Sequence, residues 1–382
     1  MNRPARIAGI AALGAAVGFG AGALYERRRR AAPPPPPAAP PLLAADLAAA
    51  AAHPAARHGL PRADALLARE GYVASYDTRL RNARWVVERV TRAGLAGRDG
   101  DRANSAFAED GALPARFRAA LADFRGSGFD RGHLAPAANH KGDQAAMDAT
   151  FSLSNVSPQV GDGFNRSYWA RLERFVQELA GTCDAVFVAT GPLFLPRAAP
   201  AAPGGAFGVD YGAIGAPPRL VAVPTHFFKV VLAERGGAAA VAGAFVVPNA
   251  AVDARTPLAE WVVPLSALEE VAGVAFFPEF FTDARRRAVD EAAAAVRARA
   301  GAGRRPLLPV GATAVAPLAL PAPRAAAAPA APLLAPSATD VVHVCDHRAC
   351  VLPAERWWEA GKKAKEAKAA AALRRSASSP AL

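Results

Sequence analysis

One glycine-rich segment holds side chains suited to acid–base chemistry on a phosphate. Residues 126–140 contain Asp130, Arg131, Gly132 and His133 in a row. A histidine can accept a proton near neutral pH, and an arginine presents a forked cation that matches a phosphate. A histidine beside an arginine is more often structural when it stands alone, so a catalytic role requires partner residues nearby.

A predicted helix from Asn165 to Ala180 supplies two such partners. The side-chain oxygen of Asn165 is a neutral ligand for a hard cation such as Mg²⁺, which keeps most of its waters in proteins. Glu173 lies about 12 Å further along a regular helix, too far for both side chains to bind one ion directly. The spacing predicts Asn165 as the direct ligand and Glu173 as an acceptor for a metal-bound water.

Three runs of sequence carry a resemblance to a known family: DRGH at 130–133, FSLSNVSPQ at 151–159 and NRSYWARLE at 165–173. They resemble the DNA/RNA non-specific endonucleases with the ββα-metal (His-Me) finger. The resemblance to the endonuclease G group is closer and covers residues 70–280. It includes further runs at 75–77, 85–88, 191–196, 223–229 and 247–249.

The resemblance implies a Mg²⁺-dependent hydrolase that cuts DNA and RNA to 5′-phosphate and 3′-hydroxyl ends, with Mn²⁺ expected to substitute. It implies that His133 is the general base, that Asn165 is the sole direct protein ligand of the metal, and that Glu173 holds the metal's water shell. It also implies a homodimer. The residues assigned to the substrate are Arg81, Arg131 and Asn155.

The apolar pattern of the core predicts a mixed α+β fold with a mainly antiparallel central sheet flanked by helices. Strands outnumber helices and do not alternate regularly with them, which favours this class over a doubly wound fold. The helix at 165–180 should bury a stripe formed by Trp169, Leu172, Phe175, Val176 and Leu179. Strands are predicted at 72–76 and 84–90, as a hairpin, and at 151–155, 185–190, 227–232 and 244–247.

Composition and charge divide the chain into a core with two tails. The net charge is +12, but residues 1–45 and 361–382 each carry +5, so bulk charge is no argument for nucleic-acid binding by the core. We predict a targeting segment, a Pro/Ala-rich linker, a nuclease domain, a second Pro/Ala-rich linker and a basic appendage. Their ranges are 1–30, 31–60, 61–301, 302–338 and 339–382.

The N-terminus resembles a targeting sequence. An apolar run at residues 7–24 lies between arginines and is just long enough to cross a thin bilayer. We expect import into the mitochondrion, with residues 7–24 as an anchor in the inner membrane; a secretory signal and another membrane are the alternatives. The expected location is the intermembrane space or the inner membrane, and the nucleus after release.

The C-terminal region leaves several interpretations open. Three cysteines are too few for a disulfide scaffold. Cys345 and Cys350 could form a disulfide, bind zinc together with His343 and His347, or do neither, whereas Cys183 fits the core. Trp357, Trp358 and the lysines that follow predict either a nucleic-acid contact or a solvated basic helix.

The sequence leaves two alternative functions open. Structural or surface roles are expected for His140 and His226. The related mitochondrial exonuclease-type enzymes share the same finger, and the sequence does not reveal a preference for strand ends. A membrane-tethered, non-catalytic nucleic-acid-binding protein is the alternative outside enzymes.

Overall fold

The computed structural model describes residues 50, 52–58, 64–198, 207–236, 238–301 and 341–354. The chain divides into two units, Met1–Pro61 and Arg62–Leu382. In the first unit the described residues form one 3₁₀ turn at Pro54–Ala56. No helix in the described ranges is long and apolar enough to span a bilayer. The predicted anchor at 7–24 and the tryptophans and lysines after residue 354 lie outside those ranges.

An eight-stranded sheet forms the centre of the second unit. Its strands are β1 (Asp64–Ala68), β2 (Tyr72–Asp77), β3 (Asn82–Val90), β6 (Ala185–Leu193), β11 (His226–Arg235), β12 (Ala238–Pro248), β13 (Val262–Val263) and β14 (Val342–His343). The order is β1-β2-β3-β6-β11-β12-β13, with β14 also beside β12. Every pairing is antiparallel except that of β14 with β12. The predicted α+β class with a mainly antiparallel sheet is confirmed.

In the described part of the second unit, three two-stranded pairs and seven α-helices surround this sheet. The pairs are β4 (Asp130–His133) with β5 (Val156–Gln159), β7 (Arg197–Ala198) with β8 (Phe207–Gly208), and β9 (Ala213–Ala216) with β10 (Arg219–Ala222). The helices in the described residues are α1 (Arg92–Ala96), α2 (Leu121–Phe124), α3 (Gln144–Thr150), α4 (Ala170–Ala180), α5 (Leu265–Ala272), α6 (Asp283–Arg299) and α7 (Val344–His347). A wide, π-type helical turn at Gly161–Trp169 precedes α4.

Both faces of the sheet are covered, which explains the unbroken apolar runs of its central strands. On β11, Phe227 and Val231 belong to the core that includes α4, whereas Phe228, Val230 and Leu232 belong to the core beneath α5 and α6. The predicted stripe of α4 and its preceding turn is fully buried in the first of these cores. Cys183 is buried there as expected.

The predicted strands are confirmed with one exception. The hairpin of β2 and β3 forms as expected, but the strand predicted at 151–155 is wrong. Leu153–Asn155 is a 3₁₀ turn, and the strand begins only at Val156. Phe151 and residues 153–155 are all buried, so the alternation of residue types does not reflect two different faces. The Asn155 side chain binds the Thr150 carbonyl, a local bond that favours a turn over an extended chain.

The described C-terminal residues, 341–354, pack against the main sheet. β14 runs parallel to β12, and Cys345 forms a disulfide with Cys350, which was one of the three alternatives. Arg171 on α4 donates from Nε to the Pro353 carbonyl at 2.6 Å. No cluster of three or more His, Cys, Asp or Glu side chains suited to a metal is found in the described part of the chain, so the zinc alternative gains no support.

Candidate active site

Two short strands and a helix bring the DRGH run and Asn165 together. In the β4–β5 pair, Asp130 lies opposite Gln159 and His133 opposite Val156. The chain then enters the helical turn before α4, where Gly163 has φ +76° and ends a non-helical kink. Helical conformation therefore starts just before Asn165, and the predicted helix over 165–180 is confirmed. The order strand, strand, helix places β4 and the start of this helix side by side.

His133 is held by two aromatic rings. Its imidazole lies 4.8 Å, edge to face, from the ring of Phe151 and 5.2 Å from that of Phe107. Its Nε2 is buried and has no hydrogen-bond partner in the described structure. Burial, reinforced by the positive charge of Arg102, lowers the pKa of His133 to about 3. The imidazole is therefore neutral at physiological pH, the form that can accept a proton.

Two guanidinium groups lie on the aromatic rings that contact His133. Arg131 lies 4.4 Å over the centre of the Phe107 ring, and Arg102 lies 5.4 Å over that of Phe151. Both arginine residues are exposed. A guanidinium that lies over an aromatic ring still has N–H groups available for an anion. The site thus has fixed positive charge close to a neutral base.

The carboxylate of Asp130 orients Asn165. Asn165 Nδ2 donates to Asp130 Oδ2 at 2.8 Å, so the amide oxygen is the group left for other partners. Arg166 binds the same carboxylate with two nitrogens, at 2.5 and 2.8 Å. Burial favours protonation of Asp130, but the hydrogen bonds from Arg166 and Asn165 hold its pKa below the usual value. The carboxylate therefore remains ionised and keeps the amide in this orientation.

Two asparagines, the buried Asn82 and the half-buried Asn249, fix this strand–strand–helix unit to the sheet. Asn249 accepts from the Val160 backbone N–H at 2.9 Å and donates to the Pro158 carbonyl at 3.1 Å. Asn82 accepts from Ser157 on β5 and donates to the Ala222 carbonyl at 2.9 Å. Because these bonds cross from β5 to other elements, they fix the strand opposite His133.

Glu173 lies close to two buried charged residues, Lys229 and Glu88. Burial raises the pKa of Glu173 to about 7, with Lys229 opposing this shift and Glu88 adding to it. Lys229 is 1% exposed, donates to Thr190 Oγ1 at 2.7 Å and lies 5.0 Å over the Trp169 ring. Burial lowers the pKa of Lys229, whereas Glu173 and Glu88 raise it. Glu173 is thus poised to change its charge near neutral pH.

Gln159 is a further polar group beside β4. It is fully buried, and neither its Oε1 nor its Nε2 has a partner in the described residues. A Cβ at Gly132 would lie 2.1 Å from the side-chain amide carbon and oxygen of Gln159, so the glycine of the DRGH run is required for this close approach. An unpaired buried amide has a donor and an acceptor to offer to a bound water.

Comparisons with known proteins identify the family of this chain. The DNA/RNA non-specific endonuclease family matches residues 52–283, which is more than half of the chain. The chain belongs to this family. It is therefore an endonuclease, and the family is in general one of metal-dependent nucleases. β4, β5 and the helix with Glu173 all lie in the matched range.

Individual relatives match more than half of the chain. A nuclease of Syncephalastrum racemosum is 50% identical over 214 residues, or 56% of this chain and 67% of the relative. The mitochondrial endonuclease G of Homo sapiens is 47% identical over 229 residues, or 60% of this chain and 75% of the relative. The mitochondrial nuclease EXOG of Mus musculus is 40% identical over 210 residues, or 54% of this chain and 55% of the relative.

A solved structure shares the fold. A crystal structure of an EndoG/EndoGI complex contains a chain that is 39% identical to this one, with a TM-score of 0.55. The match covers 61% of this chain and 91% of that chain. The mixed α+β fold of this endonuclease is therefore found in a known relative.

Two of the substrate residues predicted from the sequence bind backbone groups of the framework in the structure. Asn155 is 0% exposed; its amide accepts from the Ala135 N–H at 2.9 Å and donates to the Ala135 and Thr150 carbonyls. It fixes the chain just after His133 and leaves no group for a substrate. Arg81, with φ +52°, is also buried and donates to the Leu220 and Arg116 carbonyls at 3.1 and 3.0 Å. These two bonds use one N–H of each terminal nitrogen, whereas Arg81 Nε has no partner among the described residues, so the substrate role of Arg81 stays a prediction.

Arg102 is the residue that the sequence did not single out. It lies in an exposed 3₁₀ turn, Arg102–Asn104, capped by Asp101, where no periodicity or spacing marks it. Only the fold places its guanidinium over Phe151 and close enough to His133 and Glu173 to affect both pKa values. Arg102 and Arg131, rather than Arg81, are the arginines beside the imidazole.

The two other histidines considered lie in the framework. His140 is 8% exposed and has its Nε2 3.2 Å from Glu88 Oε2. Asn139 donates to the same carboxylate oxygen at 3.0 Å. His226 Nδ1 lies 3.0 Å from Thr225 Oγ1, and burial lowers the pKa of His226 to about 4. These contacts agree with the structural roles predicted for both residues.

Proposed function

We propose that this chain is a Mg²⁺-dependent, sugar-non-specific endonuclease that hydrolyses phosphodiester bonds of DNA and RNA to 5′-phosphate and 3′-hydroxyl ends. The observation that carries the proposal is a neutral His133 flanked by Arg102 and Arg131, on a strand whose Asp130 binds Asn165. A base, two phosphate-binding cations and a metal-binding amide are the groups that this hydrolysis requires.

The residues present fit a hydrated hard cation. Asp130 binds the Asn165 Nδ2 and so leaves the amide oxygen for a metal. Glu173 and the unpaired amide of Gln159 are suited to hydrogen-bond the waters of such an ion. Bound there, Mg²⁺ would supply Lewis-acid stabilisation of the charge that develops on the phosphate and the leaving 3′ oxygen, and Mn²⁺ should substitute for it.

His133 performs the proton transfer. Its imidazole is neutral and takes a proton from the attacking water, and Phe107 and Phe151 hold the ring in place during this step. Arg102 and Arg131 stabilise the negative charge of the phosphate in the transition state. Water, rather than the ribose 2′-hydroxyl, is the nucleophile in this scheme, so DNA and RNA serve equally.

The cellular setting forms part of the proposal. Relatives from Homo sapiens, Saccharomyces cerevisiae and Schizosaccharomyces pombe are named as mitochondrial nucleases. We infer a mitochondrial enzyme of the intermembrane space or inner membrane, with residues 7–24 as targeting segment and anchor and with nuclear entry after release. We also propose a homodimer, and a nuclease domain at 61–301 between the two Pro/Ala-rich linkers.

The test compares the full chain with its His133→Ala variant on supercoiled plasmid and on RNA, with Mg²⁺ or with EDTA. The proposal expects nicking of the plasmid and loss of RNA only by the wild type with Mg²⁺. His58→Ala, an exposed histidine in the first unit, is the matched control and should keep full activity. Intact circles with shortened linear DNA would indicate an exonuclease instead. Metal-independent binding without any cleavage would leave a nucleic-acid-binding protein.

A further inference from the structure

Two cavities continue the active-site surface beyond Arg131. The first has a volume of about 340 Å³ and is lined by residues of α2, of β4 and of the loop between them, including Arg125, Asp130 and Arg131. The second has a volume of about 550 Å³ and lies between the loop after α2 and the β9–β10 hairpin, with Arg125 and Arg219 in its wall. Because Arg125 lines both, the cavities adjoin and form what we call the distal groove.

The distal groove carries unpaired positive charge. Arg125, Arg131 and Arg219 are all exposed. Neither the Arg125 nor the Arg219 guanidinium has a hydrogen bond or ion pair with any residue that the structure describes. Two exposed arginines outside the groove walls, Arg166 and Arg255, are paired with Asp130 and Asp253.

The two carboxylates in the groove walls leave this charge uncompensated. Asp130 is already bound by two nitrogens of Arg166. Asp123 accepts from the Ala120 backbone N–H at 2.7 Å at the start of α2. Asp130 is thus already paired with a cation, whereas Asp123 binds a neutral N–H, so the positive charges of Arg125, Arg131 and Arg219 outnumber the one carboxylate left without a cation. Unpaired arginines along a groove are suited to forked hydrogen bonds with phosphates.

The walls of the distal groove are fixed before any ligand binds. Ser127 Oγ donates to the Phe124 carbonyl at 3.0 Å and accepts from the Phe129 N–H at 3.2 Å. These bonds hold the turn through Gly126 and Gly128, whose φ values of 69° and 83° suit glycine. A Cβ at Gly215 on β9 would lie 2.8 Å from Asp123 Oδ1, so the hairpin contacts α2 directly. A preformed groove lowers the cost of ordering on binding.

We propose that the distal groove binds the phosphodiester backbone of the substrate strand on one side of the cleaved bond, with Arg125 and Arg219 contacting successive phosphates beyond the one at Arg131. The inference rests on the proposed function, because it assigns a course to the strand that His133 cleaves. A strand in this groove is several nucleotides long, so the subsite acts on oligonucleotides and not on the shortest substrates. The contacts are to phosphates and therefore independent of base and sugar.

The first experiment measures binding by the full chain in EDTA, where cleavage should not occur. Fluorescence anisotropy with a labelled single-stranded 20-mer is recorded over a range of salt concentrations for the wild type, Arg125→Ala, Arg219→Ala and the double variant. Each lost phosphate contact lowers the slope of log K against log salt by about 0.7 for a single strand. The double variant should therefore lose about 1.4 of slope, and each single variant should bind about fivefold more weakly.

The second experiment separates the groove from the reaction centre. With Mg²⁺, the double variant should show a raised KM on the 20-mer and an unchanged kcat, and it should match the wild type on a dinucleotide that cannot reach Arg125. Arg125→Lys should restore the salt slope because it restores the charge. The matched control is Arg255→Ala, which removes an exposed arginine outside the groove.

Two results would overturn the inference. One is an unchanged slope and KM in the double variant while the wild type cleaves, which would leave the proposed function intact. The other is an equal loss of binding in Arg255→Ala, which would mean that general positive charge acts rather than this groove. Failure of the wild type to cleave would count against the proposed function alone, since the binding measurement in EDTA does not require cleavage.

Discussion

The raised pKa of Glu173 predicts how Mg²⁺ activation depends on pH. Burial, with Glu88 adding to it, brings the pKa of Glu173 to about 7, although Lys229 and Arg102 oppose the shift. A carboxyl group with a raised pKa is ionised above that value and protonated below it. If ionised Glu173 holds the waters of the metal, the affinity for Mg²⁺ should fall as the pH falls through 7.

The size of the effect follows from the titration. At pH 6, one unit below the pKa, only about one-tenth of the carboxyl groups are ionised, so the half-saturating Mg²⁺ concentration should rise about tenfold. It should be nearly constant above pH 8. A glutamate with the ordinary value of 4.5 would show no change in this range. His133, whose pKa lies near 3, remains neutral throughout.

The assay is plasmid nicking by the full chain under Mg²⁺ titration, from pH 5.5 to 9. The variant Glu173→Gln should be weakly active, with a half-saturating concentration that no longer depends on pH. Lys229→Met removes a cation that opposes the rise in the pKa of Glu173. In this variant the half-saturating Mg²⁺ concentration should therefore begin to rise at a higher pH than in the wild type. Thermal unfolding checks that the variant remains folded. If the half-saturating Mg²⁺ concentration of Glu173→Gln still changed near neutral pH, the reasoning would be refuted, because another group, such as His133, would then be titrating.

Three further predictions concern single residues. Arg102→Ala should lower kcat about 10²- to 10³-fold with little change in KM, since it removes fixed charge at the phosphate; an unchanged kcat in single-turnover assays would return the role to Arg81. Asn155→Ala should cost about 3–5 kcal/mol of stability in urea unfolding, because it leaves two carbonyls and an N–H buried without partners, whereas the exposed Asn104→Ala should have no effect. Cys345→Ser should lower the free energy of unfolding by about 2 kcal/mol, the value expected for a disulfide that closes so short a loop. Dithiothreitol should lower the Tm of the wild type to that of the variant and leave the Tm of the variant unchanged.

The predictions made from the sequence succeeded where burial alone determines the pattern of apolar residues. β11 and β12 were found because both faces of the sheet are covered, which demands a continuous apolar run. The helix carrying Glu173 was found because its buried stripe repeats at helical spacing. The eight-residue separation of Asn165 and Glu173 also indicated that these two side chains cannot both bind one ion directly.

The sequence was misleading where side chains bind backbone groups far away in the chain. Residues 151–155 alternate in type as a strand would, but the Asn155 amide turns the chain through bonds to Thr150 and Ala135. Arg81 is followed by a strand near the site, yet its guanidinium points to carbonyls at 116 and 220. Arg102 lies in a turn without any periodicity. Such partners are set by tertiary structure, and no local pattern contains them.

The charges at this site suggest that substrate and metal bind in support of each other. The protein offers the metal one amide oxygen from Asn165 and a carboxyl group, Glu173, that is only half-ionised at pH 7. It offers the phosphate two arginines that lie on aromatic rings. Mg²⁺ prefers negative oxygens, and a bound phosphodiester supplies them. Mg²⁺ and the substrate strand are therefore expected to bind cooperatively. The half-saturating Mg²⁺ concentration should fall as the concentration of a non-cleavable phosphorothioate strand rises. By linkage, the strand should bind more tightly in the presence of Mg²⁺. Independent binding of the two would mean that the protein alone satisfies the metal, through ligands other than Asn165.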